Sequence, residues 1–144
     1  NGLGARITYA YTKEQLAKDK DGNSINNQYI PAREHALNVR MDYDRQISSN
    51  YGLNIGLQGR VLSGVENVEY KDYYDVSKGT ISVEYPAYTL WKLSLVQRIG
   101  KAVKVNAALD NLFGYKPKFY YLNSPITDGV TFQIGVSIDI DKFF

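Results

Sequence analysis

His35 is the single histidine of a 144-residue chain that has no cysteine. A lone imidazole could ligate a haem or a metal chelate, but this one stands where the chain enters an alternating run, and the plainer reading is structural. One histidine and no thiol remove disulfide scaffolds, cysteine-ligated zinc and thiol nucleophiles, and make histidine-dependent hydrolysis improbable. Asp19-Lys20-Asp21-Gly22-Asn23 has the carboxylate density of a calcium loop. It lacks the glycine at the sixth position and the downstream bidentate glutamate, so a solvated turn is the better account. Asp139 and Asp141 fall on one face of an extended run, as an acid–base pair would, yet alternating polar positions produce that spacing by default. Tyr115-Lys-Pro-Lys-Phe-Tyr-Tyr121 mixes bases and rings in the manner of a single-strand nucleic-acid platform. The formal charge is only +2, and no nucleic-acid partner is expected. Gly52 and Gly56 have helix-packing spacing, but they lie in a period-two run, where that reading fails. No phosphate-cradling loop occurs. No nucleophile–base pair emerges, so neither an enzyme, a cofactor nor a metal is expected.

Thirteen tyrosines remain to be explained. Tyr70, Tyr73, Tyr74, Tyr120 and Tyr121 are planar, amphipathic and loop-borne, able to stack on a sugar or hydrogen-bond a chelate. They are the candidates for ligand contact; packing of loop on loop is the competing account.

The elements that carry these residues are strands. Period-two alternation dominates, most clearly over Val130–Ile140, where the even positions are all apolar and Thr131, Gln133, Gly135, Ser137 and Asp139 alternate with them. Tyr51–Val61 repeats the pattern with Asn54, Gln58 and Arg60 on its polar side. Residues 37–43 and 5–12 alternate strictly, and 91–98 and 103–110 less so, which makes six strands. Residues 44–49 and 99–101 read as short turns, whereas 13–33, 63–86 and 114–128 are long polar connections. Loops beyond about 12–15 residues are uncommon in compact soluble domains. Here all three leave the same end of the sheet, and Thr80–Tyr85 could add a small strand inside the middle one.

A one-sided alternating sheet has two explanations. In a soluble β-sandwich the apolar face is a core; in a transmembrane barrel it meets lipid and the polar face lines the lumen. The runs are about 10–11 residues, close to the roughly 9–11 of a tilted membrane strand and above the mode of about 5–6 in globular sheets. Short turns at one end and long loops at the other also fit a barrel. Tyr9, Tyr11, Tyr43, Tyr51 and Tyr88, near strand ends, would suit interfacial girdles. Arg6, Arg40 and Arg60 share the polar parity in three strands. A one-residue slip of all three strands would move them into lipid at about 2–4 kcal/mol each near the midplane, so register is well specified. No stretch approaches a membrane-spanning helix, and the mean hydropathy is −0.36. Six strands cannot close a membrane barrel, whose smallest members have about eight, and open edges in hydrocarbon are costly. The chain opens on Asn1-Gly2-Leu3 without Met and is expected to be a wall segment of something longer.

Leu90-Trp-Lys-Leu-Ser-Leu followed by Lys104-Val-Asn-Ala-Ala-Leu-Asp-Asn-Leu-Phe-Gly-Tyr115 resembles the penultimate strands of TonB-dependent outer-membrane receptors, where an Asn-Leu-Phe element, here Asn111-Leu112-Phe113, closes an upward strand. Residues 22–39 resemble their loop into a downward strand, with Pro31, Arg33 and His35 standing for a Pro-Arg-His-like cluster that Ala32 and Glu34 interrupt. Phe144 is similar to their C-terminal aromatic assembly signal, although Asp141-Lys142-Phe143 breaks the alternation before it. The resemblance implies an all-β fold: residues 1–144 as the last six antiparallel strands of an up-and-down transmembrane barrel of about 22 strands, in a bacterial outer membrane. It implies uptake of a siderophore, haem, cobalamin or oligosaccharide. The implied partners are the rest of the barrel and its plug domain, membrane lipid, and a TonB-type energising complex. Arg6, Arg40, Asn54, Gln58 and Arg60 would face plug or water. A secreted or surface β-sandwich that binds glycans or proteins is the alternative, and a barrel enzyme stands third.

Overall fold

In the computed structural model, residues 2–13, 18, 20–22, 32–117, 127 and 129–142 are described. Eight strands form: β1 (Gly2–Tyr11), β2 (His35–Ser48), β3 (Tyr51–Leu62), β4 (Val65–Tyr70), β5 (Thr80–Tyr85), β6 (Tyr88–Ile99), β7 (Val103–Asp110) and β8 (Thr131–Ile138). Six of them make one antiparallel sheet in the order β1-β2-β3-β6-β7-β8, while β4 and β5 pair only with each other. Chain order and spatial order therefore agree, apart from one hairpin inserted between β3 and β6. This is an up-and-down wall with β1 and β8 as its edges.

Side-chain alternation sorts the wall into two faces. Cross-strand partners Arg6, Arg40, Gln58 and Lys92 share the polar one. Leu3, Tyr43, Ile55, Leu95, Ala107 and Ile134 form a continuous row on the other. No second sheet covers that apolar face among the described residues: Ile7 is 70% exposed and Ile134 67%. The accessible surface is 10731 Å², against about 7,500 Å² for a globular chain of this mass. A sandwich would have buried one face of each sheet, and the described residues form a single layer instead.

Among the described residues, burial of large apolar side chains is confined to Leu62 and Tyr85, 6% and 3% exposed. Both lie where the β4–β5 hairpin joins the wall, and the Tyr85 hydroxyl hydrogen-bonds the Glu69 carboxylate there. At the other end the connections are tight. Ser49-Asn50 turns β2 into β3. Gly100 turns β6 towards β7 at φ +62, a conformation that suits glycine. Its N–H donates to the Asn50 carbonyl at 2.7 Å, tying the two turns together.

Three boundaries differ from the sequence expectation. Residues 44–48 continue β2 rather than turning. Their polar composition suggested a turn, but in a wall with one polar face Asp44 and Gln46 simply extend that face. There Asp44 meets Arg98 at 2.6 Å and Gln46 donates to the Ser48 carbonyl at 2.7 Å. The middle connection is a hairpin, with the expected strand at Thr80–Tyr85 paired to Val65–Tyr70. The last strand stops at Ile138, because Ile140–Lys142 curl into a 3-10 turn. The Lys142 N–H donates to the Asp139 carbonyl at 3.3 Å, and the Lys142 ammonium pairs with the Asp139 carboxylate at 2.7 Å. Asp139 and Asp141 consequently do not share a strand face, contrary to the alternation read from the sequence.

Candidate functional site

Arg6 on β1, Arg40 on β2 and Gln58 on β3 lie in one cross-strand row, with Arg60 and Asn54 on the same face of β3. The strand pattern places them together because each occupies the polar parity. A hollow of about 520 Å³ sits against this face, lined among others by Arg6, Arg40, Gln58, Arg60 and Lys92. Asn54 lies nearer the tight turns, opposite Asp44 and Val96. Three ion pairs order the face: Arg40 grips Asp42 through Nε and Nη2 at 2.7 and 3.2 Å, Lys92 meets Asp110 at 3.0 Å, and Arg98 meets Asp44 at 2.6 Å. All are partly exposed, so solvent screens them and each contributes little to stability. Their main effect is to hold long side chains flat against the wall.

The loop end is organised by two devices. Asn111 follows β7 at φ +52, a left-handed conformation that asparagine tolerates better than most residues. Its carboxamide accepts from the Tyr115 N–H at 2.9 Å and donates to the Tyr115 carbonyl and the Thr127 hydroxyl at 2.8 and 2.7 Å. The Asn-Leu-Phe element therefore works as a plug of hydrogen bonds at the strand exit. Phe113 packs edge-on against Trp91 at 6.2 Å.

The second device centres on Arg33. Its Nη1 donates to the Ser63 and Pro86 carbonyls, and its guanidinium lies 4.7 Å over the Tyr88 ring. Tyr88 stacks on Tyr115 at 5.2 Å, and burial pushes the Tyr115 phenol above its ordinary pKa, with Arg33 opposing. Four loop bases meet there. Tyr88 thus has the polar parity and is no girdle residue, contrary to the sequence expectation. Its position two residues from Leu90 and four from Lys92, in step with the polar set, was the available signal.

His35 opens β2 on the apolar face. Tyr9 stacks on it at 6.0 Å, its hydroxyl 2.7 Å from Nδ1, and Tyr11 approaches at 5.1 Å. The imidazole is occupied by an aromatic cluster at the loop-side rim, and no metal-holding group of side chains exists among the described residues. Of the ligand candidates, Tyr70, Tyr73 and Tyr74 come together at the tip of the β4–β5 hairpin. Tyr70 and Tyr73 meet edge to face at 6.4 Å, the Tyr73 hydroxyl donates to Glu69 at 3.3 Å, and Tyr74 is fully exposed. Burial and the Glu69 carboxylate raise the Tyr73 pKa, keeping that hydroxyl a donor. Tyr120, Tyr121 and Phe144 lie outside the described residues, as do Asp19 and Asn23 of the acidic turn.

Residues 1–112 match the profile of the family described as TonB dependent receptor-like, beta-barrel. The chain belongs to that family. Among curated proteins and solved structures, none matches. TonB-dependent receptors are transporters of bacterial outer membranes rather than enzymes, and in such a setting a single-layer wall has a lipid face and a lumen face. The matched region ends at Leu112, inside the Asn-Leu-Phe element that Asn111 anchors. It covers β1 to β7 and leaves β8 to structural argument, where pairing with β7 over Thr131–Ile138 continues the same two faces.

Proposed function

We propose that this chain is the C-terminal six-stranded wall of an outer-membrane importer that takes up a scarce ligand, a siderophore, haem, cobalamin or oligosaccharide, energised by a TonB-type complex acting on a plug. Arg6, Arg40, Asn54, Gln58 and Arg60 hydrogen-bond plug or water in the lumen. Tyr70, Tyr73, Tyr74, Tyr120 and Tyr121 contribute to ligand capture outside the membrane, and Phe144 serves assembly. The observation that carries this reading is the uncovered apolar face, continuous across six strands, opposite a face of paired charges. Such a sheet is stable only if lipid covers one side and further strands cover its edges.

The test uses two neighbours on β8. Ile134→Arg places a charge on the lipid face, at about 2–4 kcal/mol if near the midplane, whereas Gln133→Arg adds one to the lumen. The first variant should be lost from the outer-membrane fraction and the second should accumulate like wild type. Equal assembly of both would remove the lipid-facing assignment. The denatured mass of the polypeptide recovered from that fraction checks the placement as a barrel's C-terminal part. A value several times 16.3 kDa is expected.

A further inference from the structure

Arg33 lies two residues before β2, yet its side chain reaches residues that flank other strands. Its Nη1 donates to the Ser63 carbonyl and, at 2.9 Å, to the Pro86 carbonyl. Those carbonyls stand at the two ends of the second long connection, just after β3 and just before β6. The ends are packed closely there. A Cβ on Gly64 would lie 3.3 Å from the Tyr85 carbonyl oxygen and 3.4 Å from the Ala87 nitrogen. One guanidinium nitrogen thus closes the base of the β4–β5 hairpin, a hairpin that forms no ladder with the wall.

The same group continues sideways. Its central carbon lies 4.7 Å from the centre of the Tyr88 ring, and Tyr88 stacks on Tyr115 with centroids 5.2 Å apart and planes 20° apart. The Tyr115 backbone is gripped by the Asn111 carboxamide, which also holds Thr127 at the far end of the third connection. These contacts cross the ends of four adjacent strands, β2, β3, β6 and β7, about 14 Å of wall at the usual strand spacing. Arginine suits the post because its planar edge donates while its face rests on a ring, whereas a lysine ammonium is a point charge. The sheet ladder fixes where each strand ends; these side chains fix how the connections leave it. Tyr88 is shared between the guanidinium and Tyr115, so a displacement of either partner alters the contact of the other. We infer that Arg33 is a positioning residue that couples the second and third long connections, so that the hairpin bearing Tyr70, Tyr73 and Tyr74 orders together with the segment led by Tyr115. Such coupling is reciprocal: loosening either connection loosens the other. It goes beyond the importer reading, from which it takes only that these connections lie outside the membrane.

The test uses the full-length receptor in detergent micelles, with amide exchange read by mass spectrometry over residues 63–66 and 112–117. Arg33→Gln removes both the charge and the ring contact. Exchange should rise about tenfold at Ser63, whose N–H donates to the His35 carbonyl. It should also rise severalfold at Tyr115, whose N–H donates to Asn111 and not to Arg33. From the other side, Tyr115→Ala should raise exchange at Ser63. In a Tyr88→Ala background, Arg33→Gln should no longer change Tyr115, a response that a purely local role for Arg33 would not produce. Arg98→Gln, which breaks an ion pair at the turn end of the wall, should leave both regions unchanged. If Arg33→Gln affects residues 63–66 alone and Tyr115→Ala affects 112–117 alone, the connections are independent and the inference is overturned. Heat-modifiable gel mobility and unchanged exchange over β3 report that the wall has formed in each variant. Should Arg33→Gln fail to form it, Tyr115→Ala decides alone: a rise at Ser63 supports the coupling and no rise overturns it. Absence of a barrel in the wild type would defeat the importer reading, while the cross-effects on exchange would still decide the coupling.

Discussion

Gly59 and Trp91 are cross-strand partners on the apolar face, and the indole occupies the space that a side chain on Gly59 would need. A Cβ there would sit 2.5 Å from Trp91 Cζ3, closer than any tolerated contact. The indole is further oriented by its N–H bond to the Thr89 hydroxyl at 2.5 Å. Gly59→Ala should destabilise the receptor by about 1–3 kcal/mol, as overpacking does. In a Trp91→Ala background most of that cost should vanish, which a double-mutant cycle by denaturant unfolding in detergent would measure. Asn111 is constrained by backbone and side chain together. Asn111→Ala loses three hydrogen bonds and faces the left-handed conformation without them, at about 1–3 kcal/mol. Asn111→Gly keeps the conformation and should cost less. The reverse order in unfolding midpoints would show that the hydrogen bonds do not hold this turn.

The β4–β5 hairpin stands apart from the wall as an element with its own electrostatic closure. Lys78 reaches back to Asp72 at 2.6 Å, and the Tyr74 N–H donates to the same carboxylate at 2.9 Å. The Lys78 hydrogen bond, then that backbone donor, hold the Asp72 carboxyl below its ordinary value of 3.8. A lowered folded pKa means that the tether contributes fully above the unfolded value and is lost as pH falls through the folded one. The tip should therefore stay ordered at neutral pH and loosen only below 3.8. Amide exchange at Tyr74 would follow it, and Asp72→Asn should remove the acid transition. If exchange at Tyr74 is unchanged on acidification, the ion pair does not set the order of the tip, and the three tyrosines there are presented by the hairpin alone.

For the whole molecule, the decisive quantity is apolar surface left without a partner. Val136, Ile138 and Phe132 on β8 are more than half exposed, like Leu3 and Ile7 on β1, and among the described residues no strand pairs with the outer side of either edge strand. A 144-residue chain expressed alone should thus aggregate in water and need detergent or lipid to stay dispersed. Sedimentation would decide it: a monodisperse 16.3 kDa species without detergent would mean that the apolar face finds cover within the chain.

Alternation alone determined the six long strands, their two faces and the end from which the long connections leave, because period two leaves a trace at every residue. It also placed Arg6, Arg40, Asn54, Gln58 and Arg60 on one face, since parity needs no knowledge of neighbours. Partners were not legible, because they depend on register between strands distant in sequence. That Arg98 takes Asp44 and Lys92 takes Asp110 follows from which strands lie side by side, as does the meeting of Arg33, Tyr88 and Tyr115 from separate loop bases. The end of β8 was misread for the same reason. Asp139 and Asp141 continue the alternation on paper, but the Asp139 N–H is held by the Ala102 carbonyl across the β6–β7 turn, and the chain curls there instead of extending. Periodicity records which residues share a face. Only tertiary contacts decide where a strand stops and which charges on neighbouring strands meet.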